Sequence, residues 1–292
     1  MRKTQIMSEG ALMCTLTLLL AWLNQYSGFL LETIFPWLYA FPLLIYAARY
    51  GFRFSSLPLI STCLLAVLFT SWTSFFYLSA ALLLGVVYGT MVHHQKAQMQ
   101  LFSISFLAAF IVNLLTMFLL AGIFGYDIQE DLAEIDHLLQ TVKGIQLPKA
   151  ESIFFFSLVL LSFLQTVCVH VLAQLILIRL KIQAPKMKKM NQISSPRWLG
   201  VIILLIWLLY FLQSVVELQV GIQLLIQSAA LCALLAAIVY GALSIFTYLA
   251  LRHVSKRMVV LVYLLLFVPI VHLLFALLGE LDLLFGLRKA MR

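Results

Sequence analysis

The chain has 292 residues, of which 64% are hydrophobic and 10% are charged, and its formal net charge is +8. Soluble domains contain about 45–50% apolar and about 25% charged residues, so this composition excludes the soluble globular class. The basic residues lie in short segments between apolar runs, where they set membrane topology and meet anionic lipid. Nucleic-acid binding is therefore not expected.

Apolar runs in residues 1–180 are long enough to predict six membrane-spanning helices. They cover approximately residues 8–23, 29–48, 54–70, 75–92, 99–124 and 153–178. Pro36 and Pro42 in the second run are tolerated in a membrane helix, where they kink or break it. The acidic segment 125–151 follows the fifth run. Its apolar residues recur at helical spacing, which predicts a short amphipathic helix.

A basic segment at residues 179–197 separates this six-span core from the C-terminal part of the chain. It contains no acidic residue, and its basic residues are Arg179, Lys181, Lys186, Lys188, Lys189 and Arg197. Because Lys and Arg resist translocation, this segment is predicted to be cytoplasmic, together with the N-terminus.

The remaining apolar runs cover residues 198–216, 222–251 and 258–278. The last run either crosses the membrane, re-enters it or lies flat, because a full crossing would leave the basic tail outside. The predicted fold is thus an all-α polytopic helix bundle of eight or nine spans. Its parts are a membrane core at 1–180, a cytoplasmic loop at 181–197 and C-terminal membrane helices at 198–292.

Two rows of small residues at every fourth position predict close helix contacts in the membrane. The fourth run contains Ala81, Gly85 and Gly89, and the eighth contains Ala229, Ala233, Ala237 and Gly241. These rows pack either within the bundle or against a separate partner subunit. Glu9 is expected at the depth of Arg49 and Arg53, where an ion pair near the lipid headgroups is predicted.

Polar side chains inside the apolar runs are costly and therefore mark candidate sites. The candidate ligand contacts are Asn113, His170, Gln174 and Gln223. Together they line a polar cavity that opens to the outer face, or they form hydrogen bonds between helices.

Sequence signatures of catalysis are missing. The chain has no GxxxxGK, HExxH, GxSxG or CxxC pattern, and its four cysteines lie inside apolar runs. His93 and His94 are adjacent in sequence and point apart on a helix, which makes a poor chelate. We therefore expect neither an enzyme nor a metal or cofactor site.

Three segments carry a family resemblance: SEGALMCTLTLLLAWL near the start, FPWLYAFPLLIYAARYGFRFSS after it, and LLGELDLLFGLRK at the end. They resemble the YybS-like family of predicted bacterial membrane proteins, which is distantly similar to the S components of energy-coupling-factor transporters. The resemblance implies a bacterial plasma-membrane protein with a six-helix core that binds a small molecule. It also implies a transmembrane coupling subunit and ATPases as partners.

Two functions follow from these patterns. The first is a transporter-type substrate-binding protein, and the alternative is a membrane scaffold or assembly factor. A polar pocket among the first six spans favours the first function, and a filled core favours the second.

Overall fold

The computed structural model describes residues 3–124, 127–141, 148–183, 196–213, 216, 218–252, 254–265 and 268–290. All regular structure within these ranges is helical. The chain forms two compact units. Unit 1 comprises Met1–Ile128 and Leu158–Met187, and unit 2 comprises Gln129–Ser157 and Lys188–Arg292.

Unit 1 is built from the N-terminal helices. They are α1 (Lys3–Tyr26), α2 (Leu30–Ile34), a 3-10 helix (Pro36–Tyr39), α3 (Ala40–Tyr50), α4 (Phe52–Phe69), α5 (Trp72–His93), α6 (Gln98–Phe124) and most of α8 (Ala150–Arg179). Ser71 begins α5 by accepting a hydrogen bond from the Ser74 backbone N–H at 3.2 Å, as expected of an N-cap serine.

Unit 2 contains the remaining helices and the start of α8. The helices are α7 (Ile128–Thr141), α9 (Arg197–Leu212), α10 (Val220–Leu251), α11 (Lys256–Leu265), α12 (Pro269–Phe285) and α13 (Leu287–Ala290). The amphipathic helix predicted in the acidic segment is confirmed as α7. The acidic residues of α7 are mostly exposed. Four of its apolar residues are half-buried: Ile128, Leu132, Ile135 and Leu139.

Six helices in the described ranges are long and apolar enough to cross a membrane: α1, α4, α5, residues 98–119 of α6, α8 and α10. The second predicted span is not one helix, because the chain breaks at Phe35 between α2 and the 3-10 helix. Pro36 disfavours helical backbone at the preceding residue, which explains the position of the break. Helix α9 has 16 residues. The total of eight or nine spans therefore stays a prediction.

The last apolar run also differs from a single span. It forms α11 and α12, and the chain reverses at Gly286, whose φ of +69° is left-handed and favours glycine. A Cβ on Gly241 would meet the Phe275 carbonyl, and one on Gly279 would meet the Ala237 carbonyl. This order of contacts shows that α12 packs antiparallel to α10.

Apolar side chains fill the interior of each unit. In unit 1, one cluster surrounds Leu84, Tyr88, Leu101 and Val169, and a second surrounds Tyr39, Leu43, Leu78 and Leu82. In unit 2, one cluster lies around Phe246, Val262 and Phe275, and another around Ile203, Ala233 and Leu283. The hydrophobic effect does not hold helices together within lipid. Van der Waals contacts in these clusters are therefore a main source of stability for the helix packing.

Candidate functional site

The small-residue row of α5 lies against α3. A Cβ on Gly85 would meet the Ala40 carbonyl, and a Cβ on Gly89 would meet the Leu44 carbonyl. Ala81 in the same row is buried in the cluster that also contains Ala40. These contacts place the row between two helices of unit 1.

The row of α10 meets two other helices of unit 2. Ala233 packs in a cluster with Ile203 of α9 and Leu283 of α12, and Ala237 and Gly241 lie against α12. Ala229 is half-buried. The residues predicted to pack helices are therefore in contact with neighbouring helices of their own unit.

The predicted ligand residue His170 is buried in a polar network of unit 1. Its Nδ1 lies 2.9 Å from the Tyr88 hydroxyl, and its Nε2 lies 3.1 Å from Nε2 of Gln98. An amide nitrogen only donates, so the contact with Gln98 requires an unprotonated His170 Nε2. His170 Nδ1 then carries the proton and donates to Tyr88. The Gln174 side chain is only 2% exposed, and its Nε2 has no hydrogen-bond partner among the described residues.

The predicted ligand residue Asn113 lies in a different part of unit 1. Its Nδ2 donates to Ser162 Oγ at 3.0 Å and to Gln165 Oε1 at 3.1 Å, which joins α6 to α8. Along α6, Asn113 and the His170 partner Gln98 are fifteen residues apart, or about 22 Å at 1.5 Å per residue. The structure thus places His170 and Gln174 one turn apart on α8, whereas Asn113 joins α6 to α8 through separate partners, Ser162 and Gln165.

The fourth predicted ligand residue, Gln223, lies in the first turns of α10 in unit 2 and is half-buried. One turn further along, Gln227 Oε1 accepts hydrogen bonds from the Lys149 backbone N–H at 2.9 Å and the Ser152 hydroxyl at 3.2 Å. The polar row of α10 therefore helps to hold the start of α8.

Glu9 forms the predicted ion pair with Arg49. Its Oε2 accepts from Arg49 Nη1 at 3.0 Å and from the Tyr50 hydroxyl at 2.8 Å, and its Oε1 accepts from Gln5 at 3.1 Å. The interpretation of Glu9 as an ion-paired residue at this end of α1 is thus confirmed. Arg53, which was expected at the same depth, is not part of the pair.

The opposite end of α1 holds a carboxylate that the sequence analysis missed. Glu32 lies in α2, and its Oε2 accepts hydrogen bonds from Asn24 Nδ2 at 3.0 Å and from the Ser74 hydroxyl. Asn24 Oδ1 accepts from the backbone N–H groups of Leu31 and Glu32 at 3.0 and 3.2 Å. Asn24 therefore both orients the carboxylate and satisfies the start of α2.

Glu32 has no basic partner among the described residues. Glu32 belongs neither to the Glu9–Arg49 ion pair nor to the Asp282–Arg288 ion pair. Its Oε1 accepts no hydrogen bond from the described residues, and its side chain is half-buried. Tyr39 and Tyr77 lie within electrostatic range of the carboxylate.

The sequence does carry a signal for this site. Glu32 is the one acidic residue in the apolar run 29–48, and it precedes Pro36 by a single helical turn. A carboxylate inside a membrane segment costs free energy, so such residues commonly mark functional sites. Breaks in membrane helices mark binding sites in many transporters. The Glu32 partners Asn24 and Ser74 come from other helices, and they are visible only in the fold.

A metal centre is not assembled by the described residues, among which no three His, Cys, Asp or Glu side chains converge. The four cysteines are free. Glu32 acts as a hydrogen-bond acceptor toward its described partners Asn24 and Ser74.

The helices and the buried polar groups define the class: this is an integral membrane protein with several spanning helices. Residues 15–145 match the model of a family described as "Predicted membrane protein (DUF2232)". No curated protein and no solved structure matches the chain. The family match covers the second to fifth predicted spans and the second half of the first, including Glu32 and its partners.

Proposed function

We propose that the protein is a transporter-type substrate-binding protein of the bacterial plasma membrane, similar in role to an S component, and that Glu32 lies at its small-molecule site. The observation that carries the proposal is the oriented carboxylate of Glu32 beside a broken span, without a basic residue to neutralise it. Transporters commonly build substrate sites at interrupted helices, where backbone groups and polar side chains become available.

The contacts of Glu32 favour a ligand with a positively charged or hydrogen-bond-donating group. Asn24 and Ser74 fix one carboxylate oxygen, and Oε1 remains to accept from a ligand. A carboxylate in a membrane protein gains most from a charged donor, because the surrounding dielectric is low. With the N-terminus in the cytoplasm, α1 ends at the outer face and the site opens outward.

The polar residues predicted from sequence receive a different role in this proposal. Asn113 and His170 hold α6 against neighbouring helices, and their hydrogen-bonding groups are engaged. They stabilise the core on which the site rests. Transport would require a coupling subunit and ATPases as partners, which the resemblance to S components implies.

Ligand binding by the purified full chain tests this proposal. Thermal-shift and native mass-spectrometry screens against amines, vitamins and other metabolites are expected to yield a ligand that stabilises the protein. Glu32→Gln keeps the size and the hydrogen bonds of the side chain but removes its charge. Loss of one charge-assisted hydrogen bond is expected to weaken binding roughly tenfold to a hundredfold.

The matched control is Glu151→Gln, which removes an exposed carboxylate from the first turn of α8. This variant is expected to bind the ligand like the unmodified protein. If Glu32→Gln bound the ligand as tightly as the unmodified protein, the binding site would not include Glu32. A screen without any ligand, in a preparation without co-purifying ATPases, would reject the substrate-binding role.

A scaffold or assembly factor is the second candidate, and the filled apolar cluster around Tyr88 and Val169 favours it. In this case the basic segment 179–197 is the expected partner contact. Its residues 184–195 lie outside the described ranges. Affinity purification with this segment scrambled tests the idea, since a scaffold would lose partners that the unmodified chain retains.

A further inference from the structure

A surface groove lies where α5 turns into α6 in unit 1. Its volume is about 300 Å³, and it is lined by Met91, Lys96, Met99, Gln100, Ser103 and Ile104. Half of this lining is apolar, and the other half offers one positive charge and two neutral hydrogen-bonding side chains. The groove is therefore amphipathic.

Local backbone geometry fixes the position of Lys96 at the groove. Gln95 adopts a left-handed φ of +52°, and the Lys96 N–H donates to the Met91 carbonyl at 3.2 Å. The Gln95 side chain donates to the carbonyls of Val92 at 3.1 Å and Gln183 at 2.8 Å. These bonds tie the turn both to α5 and to the segment after α8.

The groove lies at the basic end of unit 1, which we define by Arg49, Arg53, Lys96, Arg179 and Lys181. The contact with Gln183 places the turn beside the end of α8. His93 Nδ1 lies 3.3 Å from the Ala48 carbonyl, which places the same turn beside the end of α3. A membrane protein keeps such an end at the headgroup level of one leaflet.

Two features of the groove favour an occupant with a polar head and an apolar tail. Gln100 and Ser103 are exposed on the first two turns of α6, where they line the groove together with Lys96. Lys96 is exposed and takes part in neither of the ion pairs of the described residues. Met99 and Ile104 provide apolar surface next to these groups.

We propose that this groove binds an acidic phospholipid. The Lys96 ammonium group pairs with the phosphate, and Gln100 and Ser103 hydrogen-bond the headgroup and glycerol oxygens. The first part of an acyl chain then lies along Met99 and Ile104. The proposal is independent of Glu32, which lies at the other end of α1.

Native mass spectrometry of the full chain, released from membranes containing equal phosphatidylglycerol and phosphatidylcholine, tests this inference. The unmodified protein is expected to retain phosphatidylglycerol in preference to phosphatidylcholine. Lys96→Gln is expected to retain about fivefold less, as a lysine near an anionic lipid surface contributes on the order of a factor of five. Ser103→Phe fills the groove without a charge change and is expected to reduce retention as well.

Lys181→Gln is the matched control, because it removes one exposed charge from the same basic end. Its lipid retention is expected to equal that of the unmodified protein. Equal losses of phosphatidylglycerol retention in Lys96→Gln and Lys181→Gln would show that lipid retention depends on the overall surface charge, and this result would overturn the proposed site. Unchanged retention in Lys96→Gln, or equal retention of the two lipids, would overturn it too. A thermal-unfolding measurement establishes that each variant is folded.

Discussion

The described residues of units 1 and 2 both include a helix pair packed through glycine and an ion pair, but the two units build them differently. In unit 1, glycines occur on α5 and meet carbonyls of α3, and the Glu9–Arg49 pair is partly exposed, at 24% and 37%. In unit 2, glycines occur on both α10 and α12, and the Asp282–Arg288 pair is 0% and 2% exposed.

The two units also differ in how their buried or half-buried carboxylates are paired. Asp282 accepts from Arg288 Nε at 2.6 Å and from the Arg288 backbone N–H at 2.8 Å, which closes the C-terminal turn inside unit 2. Glu32 in unit 1 has neutral donors alone among the described residues. A neutralised carboxylate holds structure, and one without a counter-charge favours a ligand.

The largest effect is expected for Asp282→Asn. It leaves the Arg288 guanidinium buried without a counter-charge, next to the Tyr240 ring at 5.4 Å. Breaking a buried pair in this way costs about 3–5 kcal/mol. Unfolding of the purified protein in micelles, followed by circular dichroism against added denaturing detergent, measures the loss.

Two further variants make this measurement specific to the ion pair. Asp136→Asn removes an exposed carboxylate from α7 in the same unit and is expected to leave stability unchanged. The double variant Asp282→Leu with Arg288→Met removes both charges, and it is expected to lose less stability than Asp282→Asn. A double variant that loses more would contradict the view that the stranded charge causes the damage.

An intermediate effect is expected for alanine in the two glycine rows. Gly241→Ala places a methyl group against the backbone of α12, and Gly89→Ala places one against α3. Overpacking of this kind costs about 1–3 kcal/mol. We expect the larger loss at Gly241, because the Phe275 carbonyl lies closer to its added methyl group than the Leu44 carbonyl lies to that of Gly89. The same denaturing-detergent titration measures both.

Control glycines are present on helices of both units. Gly221 in α10 and Gly122 in α6 have no atom within 4 Å of an added Cβ. Their alanine variants are expected to be neutral or slightly more stable, since alanine is the better helix former. Equal behaviour of Gly241→Ala and Gly221→Ala would show that α10 and α12 are not in close contact.

The smallest effect is expected for Glu9→Gln. The pair with Arg49 is partly exposed, and exposed pairs contribute at most about 1 kcal/mol. Glutamine also keeps an acceptor for the Tyr50 hydroxyl. The comparison of the two units fails if the unfolding titration shows a loss here as large as that in Asp282→Asn.

The sequence by itself determined the membrane class, the amphipathic helix α7, the rows of small residues and an ion pair of Glu9 with a basic residue at the depth of Arg49 and Arg53. These features depend on composition, on helical periodicity and on the depth of residues in the bilayer. All three can be inferred from the order of residues along the chain.

Only the tertiary structure decided which helices meet. Spacing marked Gly241 as a packing residue but left its partner open, and Gly279 lies thirty-eight positions further along the chain. Asn24, Glu32 and Ser74 lie on three different helices and converge because Pro36 ends the helical path of the second run. Contacts between distant residues depend on how whole helices pack, and the local pattern of a chain does not contain that information.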